Sequence, residues 1–264
     1  MQAQNSRPPV LCIGGLDPSG GAGLQADIES IAACGGHALP IASCLTIQNS
    51  TQAFSVSAVD PALIEKQASV LFEDIHIASC KIGVIPNEFI TNSIASILAQ
   101  LANAPVVFDP VLAASQGSEF SDLATIKSIK NFLLPAVTIV TPNTKELNML
   151  IDNNDDITAK AQSLCKLGPE WVLVTGADCD TDQVHNTLFS RDGIEAAYQW
   201  PRLPHTYHGS GCTLSSAIAC YLAVGCDIFA AIEKAQQFTW QSLKHALPIG
   251  RGQWIPNRMH QANN

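Results

Sequence analysis

The chain has 264 residues, 47% of them hydrophobic, 14% charged and 6% aromatic, with a formal net charge of −9. That length and apolar content suit a sizeable buried core and exclude a disordered polypeptide, while the acidic balance argues against nucleic acid and membrane lipid as partners. The apolar runs are too short to cross a bilayer, and the polar residues 1–9 carry no signal core, so a cytoplasmic location is expected.

Residues 10–13 read as a short strand entering a glycine-rich turn, residues 24–34 as a helix stopped by Gly35-Gly36, and residues 37–46 as a second strand. Residues 61–72 read as a helix with Asp60 as N-cap and Pro61 at the first helical position. A strand over 75–82, a helix over 88–101 and a strand over 105–108, ending at Asp109, follow. Next come a helix over about 122–133 with Ser121 as N-cap, a strand over 137–140, a helix over about 157–167 and a strand over 171–175. Residues 186–200 read as an antiparallel edge hairpin around Arg191-Asp192-Gly193, and helices over 211–222 and 228–245 close the chain. Strands alternating with helices of ten or more residues imply an α/β fold with a parallel sheet covered on both faces. No linker, repeat or low-complexity tract interrupts the pattern, so residues 1–264 are expected to form one domain.

Four segments carry candidate chemistry. Gly14-Gly15-Leu16-Asp17-Pro18-Ser19-Gly20-Gly21-Ala22-Gly23 leads from a strand into a helix. Its glycines let the backbone approach a ligand, and the helix start offers unpaired N–H groups. It has neither the GxGxxG order of a dinucleotide fold nor the Gly-Lys-Ser/Thr of a P-loop, and a tight turn also explains it. Asp27, one turn into that helix, is accounted for by the helix dipole alone. Thr46-Ile47-Gln48-Asn49-Ser50 ends the second strand, where open parallel sheets bind ligands. The Gln48 amide can pair with a ring bearing donors and acceptors, and a plain Asn-Ser turn accounts for the cluster as well.

Asp109-Pro110-Val111 and Thr141-Pro142-Asn143-Thr144-Lys145-Glu146 also sit at strand ends. Asp109 and Glu146 could together hold Mg²⁺, which needs only one or two carboxylates besides phosphate oxygens. Asn143 and Glu146 equally form a capping box. His208-Gly209-Ser210-Gly211-Cys212-Thr213 runs straight into an apolar helix. Its N–H groups would form an anion hole for a transferring phosphoryl group. The dipole at that position favours the Cys212 thiolate, which could help deprotonate a hydroxyl; an inert buried Cys is the alternative. The other Cys residues of the nine lack zinc spacing and read as reduced and mostly buried. His37, His76, His185, His205, His245 and His260 form no ligand spacing.

Together these motifs resemble the hydroxymethylpyrimidine and phosphomethylpyrimidine kinases of thiamin biosynthesis, within the ribokinase-like superfamily. The resemblance covers residues 10–260. Besides the segments above it includes Gln25-Ala26-Asp27, Lys81-Ile82-Gly83, Leu214-Ser215 and, more faintly, Gly250-Arg251-Gly252. It implies a ribokinase-like three-layer sandwich and an ATP-dependent kinase acting on 4-amino-5-hydroxymethyl-2-methylpyrimidine, its monophosphate, or both. On this resemblance Gly15, Ala22, Asp27, Gln48 and Val111 line the pyrimidine pocket, with Val84 where the family has Met. Gly209, Ser210 and Gly211 form the anion hole and Cys212 stands at the catalytic-base position, where sugar kinases and most pyridoxal kinases carry Asp. Asp109 and Glu146 serve Mg²⁺, and Asn143, Thr175 and Gly176 meet ATP. A homodimer is implied as well.

The chain departs from the pattern at two phosphate-facing lysines. Thr175 replaces one in Val174-Thr175-Gly176-Ala177, and Ala114 the other in Ala113-Ala114-Ser115-Gln116-Gly117. The expectation is a slower reaction, or one limited to a single step. Lys81 is not expected to replace those lysines, because its place at a strand end fits a structural pairing as easily. The competing readings are a pyridoxal kinase and a pyrimidine-binding protein that has lost catalysis; a Rossmann oxidoreductase lacks its fingerprint here.

Overall fold

The computed structural model describes residues 7–101, 103–112 and 121–260. The Ala113-Ala114-Ser115-Gln116-Gly117 stretch and residues 1–6 lie outside the described residues.

In strand β1 (Pro9–Leu16), Val10, Leu11, Cys12 and Ile13 are all fully buried. Leu11 and Ile13 point into one apolar cluster, and Val10 and Cys12 into another on the opposite face. A strand apolar on both sides needs a helical layer on each. The remaining elements, in chain order, are α1 (Gly23–Ala33), β2 (His37–Gln48), β3 (Ala53–Ala58), α2 (Pro61–Asp74), β4 (Ser79–Ile82), α3 (Glu88–Leu98), β5 (Val106–Phe108), α4 (Leu123–Ser128), β6 (Ile139–Val140), α5 (Thr144–Leu150), α6 (Ile157–Cys165), β7 (Trp171–Thr175), β8 (Gln183–Ser190), β9 (Gly193–Pro201), α7 (Ser210–Ala223) and α8 (Ile228–Lys244).

All these strands join one sheet in the order β3-β2-β1-β4-β5-β6-β7-β8-β9. The strands from β2 to β7 in that order run parallel, and β3, β8 and β9 pair antiparallel at the edges. Helices α1, α7 and α8 cover one face, and α2, α3, α4, α5 and α6 the other. Each fully buried side chain such as Ile64, Ile94 or Ile218 contributes roughly 1.5–3 kcal/mol.

Helix starts follow their caps. Asp60 accepts from Ala62 N–H with Pro61 behind it, Asn87 from Ile90, and Asp227 from Ala230. Four expectations change. Asp122, not Ser121, caps α4; the Ser121 hydroxyl instead donates to Ile85 O. The expected helix over 122–133 ends at Ser128 and continues as a π turn (Ile129–Leu133) and a 3₁₀ turn (Leu134–Ala136), where Pro135 lacks the N–H an α-helix needs. The strand expected from 75 begins only at Ser79, because α2 runs on to Asp74 and Ile75 N–H still bonds Leu71 O. Finally, β3 completes an unexpected hairpin with β2. Asn49 Oδ1 makes the turn by accepting from Thr51 N, Thr51 Oγ1 and Gln52 N. No helix among the described residues is long and apolar enough to cross a membrane.

Candidate active site

The C-terminal strand ends open into a cavity of about 610 Å³. β1 does not stop at the glycine run. Gly14 and Gly15 remain in the strand, paired to β2 across a bulge, and a Cβ on Gly15 would lie 2.7 Å from Val84. The loop beyond it is organised by Asp17, which accepts from Ser19 N–H at 2.8 Å and Ala22 N–H at 2.9 Å. Its Oδ2 also lies 2.8 Å from His208 Nε2, so the two glycine segments, 191 residues apart, are joined by a side-chain hydrogen bond. Burial pushes the Asp17 carboxyl up, but the hydrogen bonds from His208 and Ser19 outweigh it and hold the group down at about 2. The contact depends on small residues. A Cβ on Gly21 would meet the His208 ring at 2.2 Å, and one on Gly209, whose φ is +82°, would meet Gly21 O at 2.1 Å.

Arg258, fully buried, ties the same junction from the C-terminal segment. It donates to Thr213 Oγ1 at 2.9 Å, to Glu29 at 3.1 Å and to Gly21 O, while Thr213 Oγ1 donates back to Gly209 O at 2.8 Å. The start of α7 is thereby aimed at the end of β5. A Cβ on Gly211 would lie 3.6 Å from Asp109 Oδ2, and Ser215 Oγ donates to that oxygen at 3.2 Å.

Beneath this point lies a buried charge cluster. Lys81 Nζ donates to Asp27 Oδ1 at 2.8 Å with both side chains fully buried, and Ser216 Oγ donates to the same oxygen at 2.7 Å. Burial alone would depress the Lys81 ammonium, but Asp27 and then Cys212 and Asp109 raise it, so it stays charged. The structural pairing expected of Lys81 is present, and the residue also borders the cavity. Burial raises the Asp109 carboxyl against the opposing pull of Lys81 and Ser215. Burial and then the neighbouring Asp109 raise Glu146 well above its usual range. Both carboxyls are raised by burial, which disfavours their ionised forms, and both offer the hard oxygen donors that a divalent cation such as Mg²⁺ takes. Among the described residues no group of three or more His, Cys, Asp or Glu is arranged to hold a metal by itself.

Gly15, Ala22, Gln48, Val84 and Val111 line one end of the cavity, and Asp109, Asn143, Glu146 and Thr175 line its middle, with Gly209, Ser210, Gly211 and Cys212 above. Two of the expected residues stand back from it. Asp27 lies under the floor, behind Gly14, held by Lys81 and Ser216. Gly176 spends its N–H on Asn186 Oδ1 at 3.1 Å, and a Cβ there would strike His185 O. The capping box of Asn143 and Glu146 is formed, so both residues have a structural role in addition to facing the cavity. The expectation for the Cys212 thiol is reversed. Burial pushes it up to about 12, and Lys81 only partly offsets this, so desolvation outweighs the helix dipole. The cysteines are otherwise as expected, all free and six of the nine buried.

Several cavity residues were assigned no role from the sequence. Lys145 and Arg202 add positive charge where Thr175 supplies none, although Arg202 is largely engaged by the carbonyls of Ala177, Cys179 and Thr181. Gln236, Trp200 and Trp240 line the end nearest β8 and β9. The one available signal for Gln236 was its place on the buried stripe of α8, between Ile232 and Thr239. Segment 250–253 folds over the Gln48-Asn49-Ser50 turn, with Gly252 N–H donating to Ser50 Oγ and Gln253 N–H to Ser50 O.

A phosphomethylpyrimidine kinase family model matches residues 17–257 of this chain. The hydroxymethylpyrimidine/phosphomethylpyrimidine kinase of Synechococcus elongatus is 34% identical over 253 residues, covering 93% of this chain and 95% of its own length. A crystal structure of phosphomethylpyrimidine kinase from Clostridium difficile superposes with a TM-score of 0.76 at 30% identity, over 88% of this chain and 98% of that one. The ADP complex of Bacillus subtilis pyridoxal kinase superposes with a TM-score of 0.85 at 25% identity, over 98% of this chain and 100% of that one. The three-layer fold is therefore the ribokinase-like one.

Proposed function

The chain belongs to the phosphomethylpyrimidine kinase family, and from that premise we propose that it transfers the γ-phosphate of ATP to 4-amino-5-hydroxymethyl-2-methylpyrimidine, to its monophosphate, or to both, supplying thiamin biosynthesis. The observation that carries the reading is the start of α7, Gly209 to Cys212, set over Asp109 in the same cavity as Gln48 and Gly15.

Gln48 offers its amide to the pyrimidine edge, and Gly15 and Val84 let the ring approach the backbone. The N–H groups at the α7 start point at the position of the transferring phosphoryl group, and their value lies in being fixed beforehand by the Asp17–His208 and Arg258 ties. Asp109 and Glu146 would hold Mg²⁺, which when bound would supply positive charge beside that group; burial is the main cause that raises the Cys212 thiol, and the cation would offset only the smaller push from Asp109. Cys212 stands at the base position, but its thiol is raised to about 12 by burial and must first be ionised before it can take the proton of the hydroxymethyl group. Phosphorylation of the monophosphate has an acceptor already ionised at neutral pH, so Cys212 contributes less there. Lys81, Lys145 and Arg202 furnish the positive field that the two absent lysines would otherwise provide. The single nine-stranded sheet supports reading the chain as one kinase domain. A cytoplasmic homodimer completes the proposal.

The test is Mg²⁺-dependent ATP consumption with hydroxymethylpyrimidine, its monophosphate and pyridoxal in parallel. Turnover on either pyrimidine, with pyridoxal much slower, is expected. Pyridoxal as the preferred substrate would move the chain to the activity of its structural neighbour, and pyrimidine binding without turnover on any of the three would leave a binding protein.

A further inference from the structure

At the end of the cavity farthest from Gln48, a chain of side-chain amides has its direction fixed by partners that can only donate. Gly176 N–H donates to Asn186 Oδ1 at 3.1 Å, which turns Asn186 Nδ2 toward Gln236 Oε1 at 2.8 Å. Trp200 Nε1–H donates to that same Gln236 oxygen at 3.1 Å. A backbone N–H and an indole N–H have no acceptor capacity, so neither amide can flip without setting donor against donor. Gln236 is therefore held with its Nε2 as the remaining group. That Nε2 is buried and meets no acceptor among the described residues, in a side chain only 3% exposed that lines the cavity.

We propose that Gln236 reads the base of the nucleotide, its Nε2 donating to an acceptor ring nitrogen of adenine. This rests on the kinase reading above. The surroundings select a neutral flat ring rather than a phosphate. The Trp200 and Trp240 indoles, with Leu203 and Leu243, line this part of the cavity, and a neutral amide donor complements a neutral ring nitrogen. Position separates this subsite from the pyrimidine pocket. Between β1 and β8 lie β4, β5, β6 and β7, so the two ends of the cavity are five strand spacings apart, roughly 24 Å. From β5, which ends at Asp109, to β8 is three spacings, about 14 Å, the kind of separation that a ribose and three phosphates bridge.

The test measures binding, so it does not depend on turnover. ADP is titrated into the intact protein, followed by tryptophan fluorescence, alongside ADP analogues in which carbon replaces each acceptor ring nitrogen of the base in turn. One analogue is expected to bind roughly 5- to 100-fold more weakly than ADP, because it leaves the buried Nε2 unpaired. In Gln236→Glu, which keeps an acceptor for Asn186 and Trp200 and presents an oxygen instead of N–H, ADP itself weakens and the difference between ADP and that analogue disappears. Equal binding of all analogues to the unaltered protein overturns the proposal, as does a preference that persists in Gln236→Glu, or no ADP binding at all. If the expected pattern appears without pyrimidine phosphorylation, the kinase reading falls and the base assignment stands.

Discussion

Gly209 is the point at which the two glycine segments touch, and replacing it isolates what that contact is worth. In Gly209→Ala two costs add. The residue sits at φ +82°, a conformation that costs an L-residue roughly 1–2 kcal/mol. The new Cβ would also lie 2.1 Å from Gly21 O and 2.9 Å from Ala22 Cα, both on backbone that cannot rotate away. Relieving such overlap costs typically 1–3 kcal/mol, so the total loss is about 2–5 kcal/mol. The relief must part the loop from the start of α7 by about 1 Å, which at the proposed phosphoryl-transfer site is worth on the order of 100-fold in kcat. Gly225→Ala is the control. Its φ is +96°, but nothing lies within 4 Å of the added Cβ, so only the conformational cost of roughly 1–2 kcal/mol applies and activity is unchanged. Chemical denaturation and pyrimidine-dependent ATP consumption are measured on both. If Gly209→Ala matches Gly225→Ala in stability and keeps its kcat, the junction does not position the anion hole.

The buried pair gives a second test. Lys81→Met alone or Asp27→Asn alone should cost roughly 3–5 kcal/mol by stranding a buried partner, and the double variant should recover part of that loss in denaturation; strictly additive losses would show that the two groups do not interact. Asp17 gives a pH dependence. Its folded value of about 2 lies below the usual 3.9 or so, so its contribution, roughly 2.5 kcal/mol, is complete above about pH 4 and is lost as pH falls through 2. The stability gap between the unaltered protein and Asp17→Asn should therefore shrink by about that amount between pH 5 and pH 2, and a constant gap would contradict the pairing. Cys212→Ser should slow phosphorylation of the hydroxymethyl group by roughly 100-fold and affect the monophosphate step much less; an unchanged first step removes Cys212 as base.

The alternation of strands and helices, and with it the covered parallel sheet, was legible because it is written in local periodicity. The caps were legible for the same reason. Asp60 before Pro61, and Asn143 three residues before Glu146, satisfy their own helix ends whatever else the chain does. β3 was not, because its pairing with β2 depends on Asn49 closing the turn between them. The glycine segments stood out as candidate ligand sites at both ends of the chain, and they border one cavity together with Gln48 and Asp109 at the strand ends.

What the tertiary structure alone decided is which of these residues meet, and in what medium. Asp17 and His208 were both in view as members of separate motifs, but nothing local says that they pair across 191 residues. Arg258, in a short tail without periodicity, and Gln236, a polar residue on a helix stripe, acquire their meaning only from partners supplied by distant elements. Cys212 shows the reason most directly. The helix dipole acting on its thiol is a local property and can be read from the chain, whereas the desolvation that outweighs it, and the lesser push from the Asp109 charge, exist only once the chain has folded around the group. Periodicity and capping are short-range and therefore sequential; burial, charge pairing and hydrogen-bond direction depend on what folding brings alongside.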